Sequence, residues 1–187
     1  MVTRYFTGTS KAASLSIAML LATEEPEMVE AAILVGGSSS GPRDVESIVK
    51  GFEGKDLGDY LMQLMRGYVA PGFADTVIGG WLLRLFVENA HTLNATCIAN
   101  IFRARGSYDM TDRLASLKAP VLVINGEYDE SLAAGTKTAL LIPGAEHFVL
   151  KNTGHACCIE DPTRFDSAMI AFLRRNNLVP KGALKHN

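Results

Sequence analysis

The sequence predicts an α/β chain: a parallel sheet of about four strands, helices packed on it, and a helical insertion in the middle. Three observations predict it. Short β-branched or apolar runs alternate with helix-like segments, the order expected of a parallel sheet. Two of those runs, Ala31 to Val35 and Val121 to Ile124, are apolar without alternation, as in strands covered on both faces. Between them, from Arg43 to about Ser107, apolar residues recur at helical spacing with no convincing strand.

Val2 to Thr7 (Val-Thr-Arg-Tyr-Phe-Thr) is rich in β-branched and aromatic residues and ends at Gly8, which predicts the first strand. Lys11 to Thr23 has almost no polar face, which predicts a buried helix, and Glu24-Glu25-Pro26 ends it. Ala31 to Val35 is the second strand, closed by Gly36-Gly37. Ser38-Ser39-Ser40-Gly41-Pro42 breaks the composition. The insertion then carries helices over Asp59 to Tyr68 and Ile78 to Arg105, interrupted by Gly72, Gly79 and Gly80. Thr111 is read as the cap of a short helix from Arg113 to Lys118. Ala119-Pro120 leads into the strand Val121 to Ile124, residues 130–140 read as helix, and Pro143-Gly144 turns the chain into a strand over His147 to Leu150. Asp161-Pro162 reads as a cap with proline at the first helical position, and the last helix runs to about Asn176. Val179 to Asn187 reads as a tail. The expected division is residues 1–42 as the first core segment, 43–110 as the insertion and 111–187 as the second core segment.

At 187 residues and 48% apolar, the chain has the size of one domain with a real core. A net charge of −2 gives no electrostatic case for nucleic acid or an anionic membrane. No run reaches the roughly 20 apolar residues that span a bilayer. Arg4 and Lys11 ahead of an apolar stretch resemble a secretory leader, but the run is short and a glycine-serine turn precedes it, so a buried helix is the better reading. Three cysteines, Cys97, Cys157 and Cys158, are too few and too irregularly spaced for a disulfide framework and point to a reducing, cytoplasmic setting. Without a second ligand cluster, Cys157 and Cys158 read as buried thiols and not a metal site. No metal and no cofactor is expected.

Chemistry is concentrated at three positions. Ser10 lies in Gly8-Thr9-Ser10-Lys11-Ala12, between a strand and a buried helix. A serine hydroxyl is a weak nucleophile unless a sharp turn presents it to a base, and such a turn needs small neighbours on either side. The Lys11 amide, at the helix start, is the candidate oxyanion donor. Asp129 follows the strand ending Ile124-Asn125-Gly126-Glu127-Tyr128. It is preferred over Glu127 and Glu130 by its place in the turn, with a turn residue or helix cap as its alternative role. His155, in Asn152-Thr153-Gly154-His155, follows the last strand at the same sheet edge and precedes the final helix. A histidine there can take a serine proton and return it to a leaving group. His91, His147 and His186 read as surface or packing histidines. The order Ser, Asp, His is that of one serine-hydrolase architecture.

These motifs resemble the α/β-hydrolase superfamily. The strand and turn up to Ser10-Lys11-Ala12, the strand Ala-Ala-Ile-Leu-Val-Gly-Gly and the acid strand from Leu117 to Asp129 carry the likeness. So do Asn-Thr-Gly-His155 and Glu160-Asp161-Pro162 after it. The Gly126-Glu127-Tyr128-Asp129-Glu130 turn is similar to some proline-iminopeptidase-like members. The resemblance implies a cofactor-free serine hydrolase acting on an ester or amide of a small apolar compound, with Ser10 as nucleophile, His155 as base and Asp129 as its orienting acid. It also implies that the insertion is a lid; Phe73, Trp81, Phe86 and Phe102 are candidates for a substrate-binding wall there, with simple packing as the commoner role of helix-face aromatics. Carbon–carbon bond cleavage with the same triad is compatible with it, whereas dehalogenation, which resembles an aspartate at the elbow, is not. The family has further strands ahead of the elbow and draws a second oxyanion donor from them. Their absence from this sequence leads to the expectation of a C-terminal portion of a hydrolase, of an oligomer or partner chain covering that edge, or of a non-catalytic ligand- or partner-binding relative.

Overall fold

A computed structural model of the chain describes residues 5–9, 14–41, 44–54 and 56–179. Four strands, β1 (Tyr5–Thr9), β2 (Ala31–Val35), β3 (Val121–Gly126) and β4 (Glu146–Leu150), form one parallel sheet in sequential order. Thr9 pairs with Val35, Val35 with Ile124, and Ile124 with Phe148, so the strands end in nearly one row. Every residue of β2 and β3 is buried, in agreement with their unbroken apolar sequence. β1 runs through Gly8 to Thr9, one residue beyond the glycine expected to end it.

Alternation along β2 sends its residues to opposite sides of the sheet. Ala32 and Leu34 join Val121 and Val123 beneath α1 (Ser14–Glu24), with Ala18, Met19 and Ala22, and beneath Ala139 and Ile142. Ala31, Ile33 and Val35 join Leu122 and Ile124 on the other face, under Cys157, Phe165 and Phe172. The helix α1 is not buried all round as expected, because it lies on the sheet with one side only: Ile17 is 52% exposed.

Between β2 and β3 lie α2 (Val45–Glu53), α3 (Leu57–Tyr68), α4 (Val77–Glu88) and α5 (Ala95–Gly106). The sequence reads as three or four helices here and the insertion has four; within the apolar stretch Ile78 to Arg105 a 3₁₀ turn at Ala90–Thr92 separates two of them, and Asn94 caps α5 by accepting the Cys97 N–H at 2.9 Å. The insertion has its own core of Val49, Phe52, Leu61, Ala99 and Phe102. Its two ends meet at a neck: Met110 N–H donates to the Ser39 carbonyl at 2.9 Å, and Gly41 N–H to the Tyr108 carbonyl at 3.1 Å. Arg105, only 7% exposed, donates to the Ser38 and Ser40 carbonyls there. After the neck the expected short helix is a 3₁₀ helix from Thr111 to Ser116. Thr111 lies inside it, its N–H held by Asp109 at 2.8 Å, and does not act as the cap.

The remaining helices are α6 (Leu132–Leu141), α7 (Cys157–Glu160) and α8 (Pro162–Arg175). Asp161 caps α8 as expected, accepting the Arg164 N–H at 2.9 Å. Phe172 is 1% exposed in the centre of the α8 face. Phe172→Ala is expected to cost about 3–5 kcal/mol through lost burial and the cavity left behind, checked by urea denaturation with an unchanged m-value. Among the described residues no helix is long and apolar enough to cross a membrane.

Candidate active site

The loops that follow β2, β3 and β4 converge at the carboxyl edge of the sheet, where parallel sheets bind ligands. Glu127 N–H donates to the Leu150 carbonyl and Tyr128 N–H to the Thr153 carbonyl, both at 2.9 Å, which zips the turn after β3 to the turn after β4. Gly126 lies at the closest point: a Cβ built on it would fall 2.0 Å from the Gly154 carbonyl oxygen. Glu127, the competitor of Asp129, is committed elsewhere, to Lys151 at 2.9 Å and the Asn152 N–H at 3.0 Å.

This zip brings Asp129 and His155 together, with Asp129 Oδ1 3.1 Å from His155 Nδ1. The side chain of Asp129 is fully buried, and that of His155 is 9% exposed. Burial alone would raise the Asp129 pKa. The hydrogen bond and charge of His155, the Ser131 N–H at 2.8 Å and the Asn125 amide at 3.1 Å outweigh it and lower the pKa to about 2. An ionised carboxylate only accepts, so His155 Nδ1 carries the proton of this bond, and in the neutral ring that tautomer places the lone pair on Nε2. With a depressed folded pKa, Asp129 contributes fully to stability above its ordinary pKa of 3.8, and that contribution fades as pH falls toward about 2.

Neighbours that sequence reading assigned no role complete the mounting. Asn125, 0% exposed, donates to Asp129 and to Ser131 Oγ. Its own Oδ1 faces His147 Nε2 at 3.1 Å, so His147 is a donor in the carboxylate's support and not a plain packing residue. Burial lowers the His147 pKa and favours the neutral ring. A buried asparagine inside an otherwise apolar strand was the available signal, since such an amide needs partners. Tyr68, at the end of α3, lays its ring 5.0 Å from the His155 ring at 53°. Gly36, at φ +61°, follows β2 directly, and a Cβ there would fall 2.8 Å from His155 Cε1. Gly36→Ala therefore combines about 1–2 kcal/mol of left-handed backbone strain with displacement of the imidazole. The expected result is a folded protein with a displaced imidazole, read as shifted His155 ring resonances beside a thermal melt.

Ser10 and Lys11 lie outside the described residues. The four aromatics do not share one wall. Phe102 is 6% exposed and stacks on Phe52 at 5.5 Å inside the insertion core, so its role there is packing. Trp81 and Phe86 are 55% and 50% exposed on α4, about 140° apart around the helix axis. Phe73 packs at the start of α4, its carbonyl oxygen 1.9 Å from where a Gly79 Cβ would lie. A groove of about 500 Å³ between α3 and α4 is lined by Met62, Arg66, Asp75, Val77 and Arg84 among others, and by none of the four aromatics. Cys157 is buried beside His155 with its thiol pKa pushed up to about 12 by burial, an inert thiol, and no cluster of metal-ligating side chains occurs among the described residues.

No protein-family profile matches the chain. The mouse protein ABHD14A is 29% identical over 97 residues, 51% of this chain and 38% of that protein. The rat protein of the same name is 35% identical over 63 residues, 33% of this chain and 26% of that protein. Among solved structures, the enol-lactonase of Burkholderia xenovorans LB400 superposes with a TM-score of 0.82 at 18% identity, covering 92% of this chain and 66% of the lactonase. A bromoperoxidase from Bacillus anthracis gives 0.79 at 17%, covering 93% and 68%. A thermophilic esterase from Thermogutta terrifontis gives 0.75 at 17%, covering 92% and 65%. The chain thus spans about two-thirds of the length of these structures and well under half of the curated relatives. These likenesses in backbone, over nine-tenths of the chain, show its architecture: the chain has the α/β-hydrolase fold.

Proposed function

We propose that the chain is a cofactor-free serine hydrolase that cleaves an ester or amide of a small apolar compound, with Ser10, His155 and Asp129 as its triad and the insertion as its lid. The observation that carries the reading is the Asp129–His155 hydrogen bond at the carboxyl edge, with a buried ionised acid, a defined tautomer and Nε2 left as a base. Support for Ser10 comes from sheet register. Thr9, the residue before it in sequence, pairs with Val35, the residue before Gly36, and Gly36 touches His155. Three free cysteines fit a cytoplasmic setting.

In this mechanism Ser10 Oγ attacks the substrate carbonyl while His155 Nε2 takes its proton. The Lys11 amide donates to the oxyanion. His155 then returns the proton to the leaving alcohol or amine, and an acyl-enzyme remains. Water, deprotonated by the same imidazole, releases the acid. Asp129 stabilises the imidazolium in both halves without taking its proton. The test is hydrolysis of short-chain p-nitrophenyl esters by the full chain in the presence of a chelator. Saturable turnover, lost on treatment with a serine-directed phosphonate, is expected; a folded chain with no turnover of esters or anilides contradicts the reading.

A further inference from the structure

The histidine loop has a second support that the proton chemistry does not use. Glu160, five residues after His155 and half-buried in α7, holds two backbone donors from different parts of the molecule. One carboxylate oxygen accepts the Gly154 N–H at 2.8 Å, and the other accepts the Ala70 N–H at 2.7 Å. Gly154 immediately precedes His155. Ala70 lies just beyond α3, two residues after Tyr68, the residue whose ring rests on the imidazole. The two segments also touch directly. Ala156 N–H donates to the Tyr68 carbonyl at 3.0 Å, and a Cβ on Gly154 would fall 2.6 Å from the Val69 carbonyl carbon. The residues on both sides of His155 are thereby bonded, one directly and one through Glu160, to a single stretch of the insertion, Tyr68 to Ala70.

Chemistry makes the carboxylate hard to replace. Burial raises the Glu160 pKa and the Ala70 and Gly154 N–H groups act against it, and at 2.7 and 2.8 Å the two bonds are at the short end for N–H donors to oxygen. Gly154 and Ala70 are both buried, so without Glu160 their N–H groups lose their acceptor where water is scarce. The cost would be met by movement of one segment away from the other, and His155 sits between the bonds that would open.

We propose that Glu160 is a positioning residue for His155, fastening the Tyr68–Ala70 end of the insertion to the histidine loop so that the imidazole is held between Asp129 and the Tyr68 ring. The proposal rests on the reading of His155 as the catalytic base. Glu160 acts only through His155 and touches no substrate. It also makes this end of the insertion a fixed part of the catalytic mounting, so that substrate entry depends on other parts of the insertion.

The experiment compares Glu160→Ala, Glu160→Gln and Glu160→Asp in the full chain. Glutamine keeps one acceptor oxygen and so one of the two bonds; aspartate keeps both oxygens on a shorter arm. With a p-nitrophenyl ester, kcat is expected to fall by about 10- to 100-fold in Glu160→Ala, with KM within about twofold of the parent. Glu160→Gln should lie between, and Glu160→Asp should recover part of the loss. In ¹⁵N-histidine-labelled protein, the His155 Nδ1 proton resonance, assigned through its absence from His155→Gln, should exchange faster with solvent in the alanine and glutamine variants. If Glu160→Ala does not fold, Glu160→Gln carries the same comparison. Unchanged kcat and unchanged Nδ1 exchange in the folded variants overturn the proposal, as does a loss confined to thermal stability. If the parent turns over no ester but the Nδ1 signal still depends on Glu160, the positioning role stands and the hydrolase reading falls.

Discussion

Asp129→Asn is expected to lower kcat for ester hydrolysis by about 10,000-fold while the chain stays folded. The size follows from a reversal of polarity at one contact. Asp129 Oδ1 now accepts from His155 Nδ1 at 3.1 Å, which leaves Nε2 unprotonated and able to receive a proton. An asparagine amide presented to the ring stabilises the opposite tautomer, with the proton on Nε2 and no lone pair there to accept the serine proton. The loss also removes the counter-charge for the imidazolium in a site that is almost closed to water. Ser131 N–H shares Oδ1 with His155 and the Asn125 amide donates to Oδ2, so either orientation of an asparagine amide sets its NH2 against another donor. Steady-state kinetics beside a thermal melt decide the matter. A kcat within about tenfold of the parent, in a folded variant, would mean that the Asp129–His155 pair does not carry proton transfer.

Ser10→Ala is expected to do more, removing about a millionfold of kcat, because without a nucleophile only substrate binding and the oxyanion donor remain. Triad members act as a unit, so their losses do not add. The variant Ser10→Ala combined with His155→Ala should therefore be slower than Ser10→Ala by no more than a few-fold. An additive double variant would indicate that His155 works on a different step from Ser10. Residual turnover in Ser10→Ala comparable to the parent would assign the chemistry to another residue.

Much of this arrangement was legible in the chain because its signals are local. The apolar runs of β2 and β3 announce strands covered on both sides, and their glycine-rich ends announce the edge where loops converge. Asp129 and His155 each sit just after a strand, so a parallel sheet alone predicts that they lie near each other. The Asp161-Pro162 start of α8 is equally local, with Asp161 accepting the Arg164 N–H as the sequence predicts. What was not legible depends on contacts between distant segments. Tyr68 meets His155 only because α3 ends where the histidine loop passes, and nothing in the sequence around Tyr68 distinguishes it from other helix-face aromatics. Phe102 has the same sequence signature but stacks on Phe52 in the insertion core. Glu160 was visible as part of a motif, yet its use depends on the Ala70 N–H, which belongs to the insertion. Ile17 shows the limit of periodicity from the opposite side: an apolar helix can still face outward when only one sheet face covers it. His147 shows another limit, since its role follows from Asn125 across the neighbouring strand and not from its own position at the start of β4.

The central claim is that His155, held by Asp129, activates Ser10. Intact-mass and peptide mass spectrometry after exposure of the full chain to a fluorophosphonate test it most directly. One adduct is predicted, on Ser10, absent from Ser10→Ala and formed far more slowly in Asp129→Asn and His155→Gln. A folded chain that takes no adduct, or one that is labelled as fast in Ser10→Ala as in the parent, would contradict it.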